Sequence, residues 1–171
     1  MIASSLVFTA VLVWAAVGDV RTRRIPNFIV AILAILGLAA AIVETPSWHG
    51  AVQALAGLLV GLLCWLPFYV FGWIGAGDVK LFSAAGAWLG PKGAVEGALV
   101  AALCGAVLAV LWMLKSHGVR QTGRTLGLAT ATPRILSPQR DGSGRSDRLP
   151  YGIAIALGAI VARWLPGVLL S

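Results

Sequence analysis

Apolar runs long enough to cross a bilayer recur along this chain, and no other feature limits its possible folds as strongly. A hydrocarbon core of about 30 Å needs about 20 apolar residues in helix, at 1.5 Å rise each. Residues 1–18, 25–43, 51–71 and 97–114 carry no charge, and 150–170 carries only Arg163. Of the 171 residues, 59% are hydrophobic and 11% charged, with a mean hydropathy of +0.92. Soluble domains hold about 25% charged residues, so this chain could not cover a soluble surface. Disorder demands the opposite composition. An all-α polytopic membrane protein is expected, forming one domain over 1–171.

The segment 81–91 is ambiguous, because eleven residues make only about 17 Å of helix. Charge decides its reading. The net charge is +7, and of the thirteen Lys and Arg, three lie at Arg21, Arg23 and Arg24 and seven between Lys115 and Arg148. Basic residues mark cytoplasmic loops. Both clusters share that side only if 81–91 also crosses, which predicts six transmembrane helices with the fourth short and both termini outside. The Gly-, Ser- and Arg-rich stretch 116–149 reads as a flexible basic cytoplasmic loop that meets membrane lipids. Basicity with no aromatic platform gives no support to nucleic-acid binding.

Five tryptophans (Trp48, Trp73, Trp88, Trp112, Trp164) fall near predicted ends, where an interfacial belt would place them. Arg163 is close enough to an end to snorkel. The N-terminal run lacks the basic start of a cleaved signal peptide. Cys64 and Cys104 stand singly within apolar runs and read as packing residues, with no metal-ligand spacing around them.

Six acidic residues remain, and two of them stand out. Asp19 closes the first span and Asp78 opens the short fourth, so both reach one membrane level. They occupy similar tetrapeptides, Gly18-Asp19-Val20-Arg21 and Gly77-Asp78-Val79-Lys80. Asp78 also suits a helix N-cap and Asp19 a solvated interfacial charge. A carboxylate at membrane depth is costly and points to function. Two sharing a proton can activate water and protonate a carbonyl, chemistry that needs neither metal nor organic cofactor. Helix polarity would make Asp78, at an N-terminus, the ionised base and Asp19, at a C-terminus, the acid.

Asp19 followed by Ile25-Pro26-Asn27, then Gly75-Ala76-Gly77-Asp78-Val79-Lys80, then Pro150-Tyr151-Gly152, resembles the prepilin peptidases, membrane aspartic proteases of the GxGD type. The length is similar to the short form found in Flp/Tad pilus systems, without the region that accompanies methyltransferase activity. The resemblance implies Asp19 and Asp78 as the catalytic pair, with Gly75, Gly77, Lys80, Ile25, Pro26, Asn27, Pro150, Tyr151 and Gly152 in supporting motifs. It implies removal of a short basic leader from a prepilin at the cytoplasmic face of the bacterial inner membrane, and contact with pilus assembly machinery. Small residues at Gly57, Gly61, Gly86, Gly105 and Ala106 could receive the substrate helix or pack the enzyme's own spans. A small ion- or proton-coupled transporter, a preflagellin-type peptidase and an inactive assembly factor are the alternatives.

Overall fold

The structure, a computed structural model, describes residues 2–22, 26–117, 151–165 and 167; for 22 and 112–117 it gives the helix path alone. Apolar sequence in lipid leaves the backbone no partner but itself, so helix is the outcome. Five helices are labelled: α1 (Ile2–Thr22), α2 (Asn27–Glu44), α3 (Trp48–Val70), α4 (Ala76–His117) and α5 (Tyr151–Trp164). No strand occurs among the described residues. Four helices are long and apolar enough to cross a membrane, and α5 is shorter at 14 residues. The protein is therefore a multi-pass membrane protein.

α4 is bent double. Gly90 has φ +69° and ψ 176°, outside helical space, and Pro91 follows it. A Cβ placed on Gly97 would lie 3.4 Å from atoms of both Leu89 and Phe82. In a straight helix, residues fifteen apart would be separated by about 22 Å. The arm 76–89 therefore runs out and the arm 91–117 runs back. The first arm corresponds to the short segment expected at 81–91, begun five residues earlier because Ala76 to Lys80 continue its helix.

Close backbone approach fixes the arrangement. A Cβ on Gly57 would stand 2.1 Å from Gly86 O, and one on Gly86 would stand 2.2 Å from Gly57 O. Gly61 lies likewise against Phe82 O, and Ser83 Oγ donates to Leu58 O at 2.9 Å. Thus Gly57, Gly61 and Gly86 serve the protein's own packing, leaving no room there for a substrate helix. α4 packs on α2, α3 and α5, while α1 lies on α2 and α5. Phe8, Leu12, Leu33, Leu81, Phe82 and Ile155 form the fully buried centre.

Two sequence expectations change. Trp88 is a core residue and leaves the interfacial belt: its Nε1 donates to Leu33 O at 2.7 Å, and its ring fills the space opened by Gly37 beside Phe8. Trp48 and Trp164 remain exposed, and the Trp112 side chain lies outside what is described. Arg163 turns inward where snorkelling was expected. Nε donates to Ser5 Oγ at 3.0 Å, Nη1 to Trp88 O at 3.2 Å and Nη2 to Ser4 Oγ at 3.2 Å, and Nη2 pairs with Glu44 Oε1 at 3.4 Å. A guanidinium with four acceptors has no reason to leave the bundle.

Gly57→Val should destabilise the protein by about 1–3 kcal/mol, the usual cost of overpacking. Gly18→Ala, inside α1 with nothing within 4 Å of the added carbon, should stabilise the protein by up to about 1 kcal/mol. Thermal unfolding in detergent micelles checks both.

Candidate active site

Asp78 is delivered by two glycine turns. At the end of α3, Trp73 N donates to Phe68 O and Gly72 N to Tyr69 O, both at 2.9 Å, with Gly72 at φ +77°. This is a Schellman closure, in which the residue just past the helix takes the left-handed conformation that suits glycine. Three residues later, Gly75 caps α4. Its carbonyl accepts from Asp78 N at 3.1 Å and Val79 N at 3.4 Å, and its N–H donates to Asp78 Oδ2 at 3.3 Å. Asp78 is thus the third helical residue and not the N-cap. Its carboxylate reaches back to the cap amide as the acidic member of a capping box does.

Asp19 lies in the last turn of α1 and is buried, at 8% exposure. Its Oδ2 accepts from Gly152 N, the second residue of α5, at 3.1 Å. The first amides of a helix have no partner within it, and their combined dipole favours an anion. Both aspartates therefore meet helix N-termini, Asp78 in its own helix and Asp19 across the bundle. Helix polarity does not divide them into base and acid, contrary to the expectation from sequence.

Tyr151 joins the two halves of the site. It lies within electrostatic reach of Asp78, its ring stands edge-on to Trp65 at 6.2 Å, and it precedes the amide that binds Asp19. Of the residues singled out by motif, the structure thus gathers Asp19, Gly75, Asp78, Tyr151 and Gly152 at one end of the bundle. Gly77 lies in the first turn of α4. Lys80 and Asn27 are exposed, and Pro26 precedes α2 in extended conformation at φ −62° and ψ 133°. Ile25 and Pro150 lie outside the described residues, as does the expected loop from residue 118 onward.

Two neighbours escaped the sequence reading. Gly105, expected either to receive the substrate helix or to pack the protein's own spans, faces the Tyr151 ring. Trp65 is 3% exposed, and its Nε1 is the one buried side-chain polar atom without a partner among the described residues. No periodicity marks Trp65 as different from any other apolar residue of α3. Among the described residues no group of His, Cys, Asp and Glu could hold a metal ion.

A multi-pass helical membrane bundle with two carboxylates brought to one end is the class that fold and site define. Residues 6–110 match the type IV leader peptidase family, and the chain belongs to that family. It is 31% identical over 160 residues to a prepilin leader peptidase/N-methyltransferase of Bacillus subtilis strain 168, covering 92% of this chain and 54% of that protein. A type 4 prepilin-like proteins leader peptide-processing enzyme of Escherichia coli O78:H11 is 33% identical over 116 residues, 62% of this chain and 42% of the relative. A prepilin leader peptidase/N-methyltransferase of Xanthomonas campestris pv. campestris is 31% identical over 125 residues, 69% of this chain and 43% of the relative. The chain spans about half the length of these curated relatives. No solved structure matches it.

Gly72→Ala should cost about 1–2 kcal/mol, because an L side chain at that φ meets its own carbonyl. Gly72→Asn should cost less, since asparagine visits this conformation more readily. The difference is read as unfolding midpoints in micelles.

Proposed function

We propose that this protein is a membrane-embedded aspartic endopeptidase that removes the short basic leader of a type IV prepilin, of the Flp type, at the cytoplasmic face of the bacterial inner membrane. The observation that supports the reading is that consecutive residues at the start of α5 each lie near one of the two carboxylates. Gly152 holds Asp19 there, and Tyr151 lies within reach of Asp78. Family membership supplies the class of chemistry, and the names of the relatives supply the substrate.

In this reading one carboxylate is ionised and the other protonated. The ionised group takes a proton from water as the water oxygen bonds to the scissile carbonyl carbon, and the protonated partner gives its proton to the carbonyl oxygen. The tetrahedral diol then collapses. Its C–N bond breaks as the amine nitrogen takes the proton captured from water, and a diol hydroxyl returns its proton to the partner. Every proton is accounted for, and each carboxyl regains its starting state. Because the pair is coupled, its titration belongs to the dyad and to neither residue alone.

The reversal at Gly90 supports six crossings, since the arms of α4 then count as two spans. With Arg21, Lys80 and the basic residues between Lys115 and Arg148 on the cytoplasmic side, the catalytic end faces the cytoplasm and both termini face outward. The prepilin would present an apolar helix to the lipid-facing side of the bundle. Contact with pilus assembly machinery follows as a partner expectation. The proposal covers peptide cleavage alone.

Asp19→Asn and Asp78→Asn should each abolish leader removal from a co-expressed prepilin, read by gel shift and N-terminal sequencing, while membrane insertion persists. Wild-type cleavage by either variant refutes the dyad. A reporter fused within residues 116–149 should read as cytoplasmic, and an outward reading refutes the six-crossing topology.

A further inference from the structure

The turn that meets Asp19 is built around missing side chains. A Cβ on Gly152 would stand 2.7 Å from Asp19 Oδ2 and 3.1 Å from its Cγ and Cβ, so the space a side chain would take is filled by the aspartate itself. One layer away, a Cβ on Gly105 would stand 2.6 Å from Tyr151 Cε1, 2.7 Å from its Oη and 2.8 Å from its Cζ. The Tyr151 ring therefore sits in a slot floored by Gly105 and walled by Trp65. Neither Gly105 nor Gly152 has a positive φ. Backbone freedom does not account for glycine at either position, and in a helix glycine costs about 1 kcal/mol relative to alanine. Space does account for it.

We propose that Gly152 is a positioning residue that holds the Asp19 carboxylate in its working place, and that Gly105 acts on the same carboxylate through Tyr151. This rests on the reading of Asp19 as one of the catalytic pair. The amide supplies a charge-assisted hydrogen bond to a carboxylate that is buried on its other sides, where such bonds are strongest. Because Tyr151 and Gly152 are consecutive, a ring forced out of the Gly105 slot turns the first peptide units of α5 and carries the amide away from Asp19. The chain thus uses two glycines on different helices to set one hydrogen bond.

The test is leader removal from a purified prepilin by the full-length protein in lipid vesicles, with kcat and KM measured separately. Gly152→Ala should lower kcat by about 100-fold, the scale of loss for a misplaced catalytic group, with KM within about twofold of wild type. Its unfolding midpoint should fall no further than the loss of one hydrogen bond requires, with kcat reported per folded molecule. Gly105→Ala should lower kcat in the same manner, yet cost nothing further when Tyr151→Ala is already present, because the ring it displaces is gone. Wild-type kcat in Gly152→Ala, or a loss confined to KM or to the amount of folded protein, overturns the proposal. So does a Gly105→Ala penalty undiminished in the Tyr151→Ala background, a comparison that decides the matter even if Gly152→Ala does not accumulate. Asp19→Asn measured in parallel separates the two readings. Activity in that variant refutes the catalytic pair itself, whereas an inactive Asp19→Asn beside a fully active Gly152→Ala refutes the positioning role alone.

Discussion

The backbone contact between Gly57 and Gly86 is the constraint on which the rest of this bundle depends. Lipid is as apolar as leucine, so two membrane helices gain nothing from hiding apolar surface against each other and must gain from close packing. α3 and the first arm of α4 approach until each glycine carbonyl lies where the other's Cβ would be. That distance sets their register. With Gly57 on Gly86 and Gly61 on Phe82, Trp65 arrives beside Phe82 and Tyr151, and α3 ends at the height from which Gly72 and Gly75 swing the chain into Asp78. A shift of one turn along α3 would move the Asp78 end by about 5.4 Å and part it from α5.

The height of the other aspartate is fixed by the pairing of α1 with α5. These helices are antiparallel and tied at both ends. Ser5 accepts from Arg163 and Thr9 from Trp164 at one end, and Asp19 accepts from Gly152 at the other. The Arg163 cluster also draws in Glu44 from α2 and the Trp88 carbonyl from the turn of α4. Polar groups far from the carboxylates thus hold the helices that present them. Glu96 joins the same end of the bundle, where it is 7% exposed and accepts from Gly167 N at 3.0 Å.

What could be read in the sequence followed from what lipid forbids. A long uncharged run has one stable form in a bilayer, so the helices were legible, and Asp19 and Asp78 could be singled out because few acids occur in the chain. Tertiary satisfaction of polar groups was not legible. Arg163 looks like a snorkelling residue from its place in the run, and only the fold brings Ser4, Ser5, Glu44 and Trp88 to it. Trp88 looks like a belt residue until Gly37 makes room for it beneath α2. Helix polarity read from sequence misplaces Asp19 because only its own helix is visible there, while the dipole that meets its carboxylate belongs to α5. Gly105 and Gly57 are alike in sequence, each a small residue in an apolar run, yet one faces a tyrosine ring and the other a backbone carbonyl.

The two carboxylates are held by unlike means, and this sets which of them moves at the lower cost. Asp19 is buried in the wall of α1, a continuous helix anchored to α5 at both ends. Asp78 is partly exposed and lies in the first turn of α4, just after a connection that contains Gly72 and Gly75. Moving Asp19 requires sliding or tilting α1 against a close-packed core, which behaves as a jigsaw rather than a spring. Moving Asp78 requires rotation about a few glycine dihedrals, for which the steric cost is small. Any change in the separation of the two carboxylates therefore costs least on the Asp78 side, and Asp19 is the more rigidly held of the two.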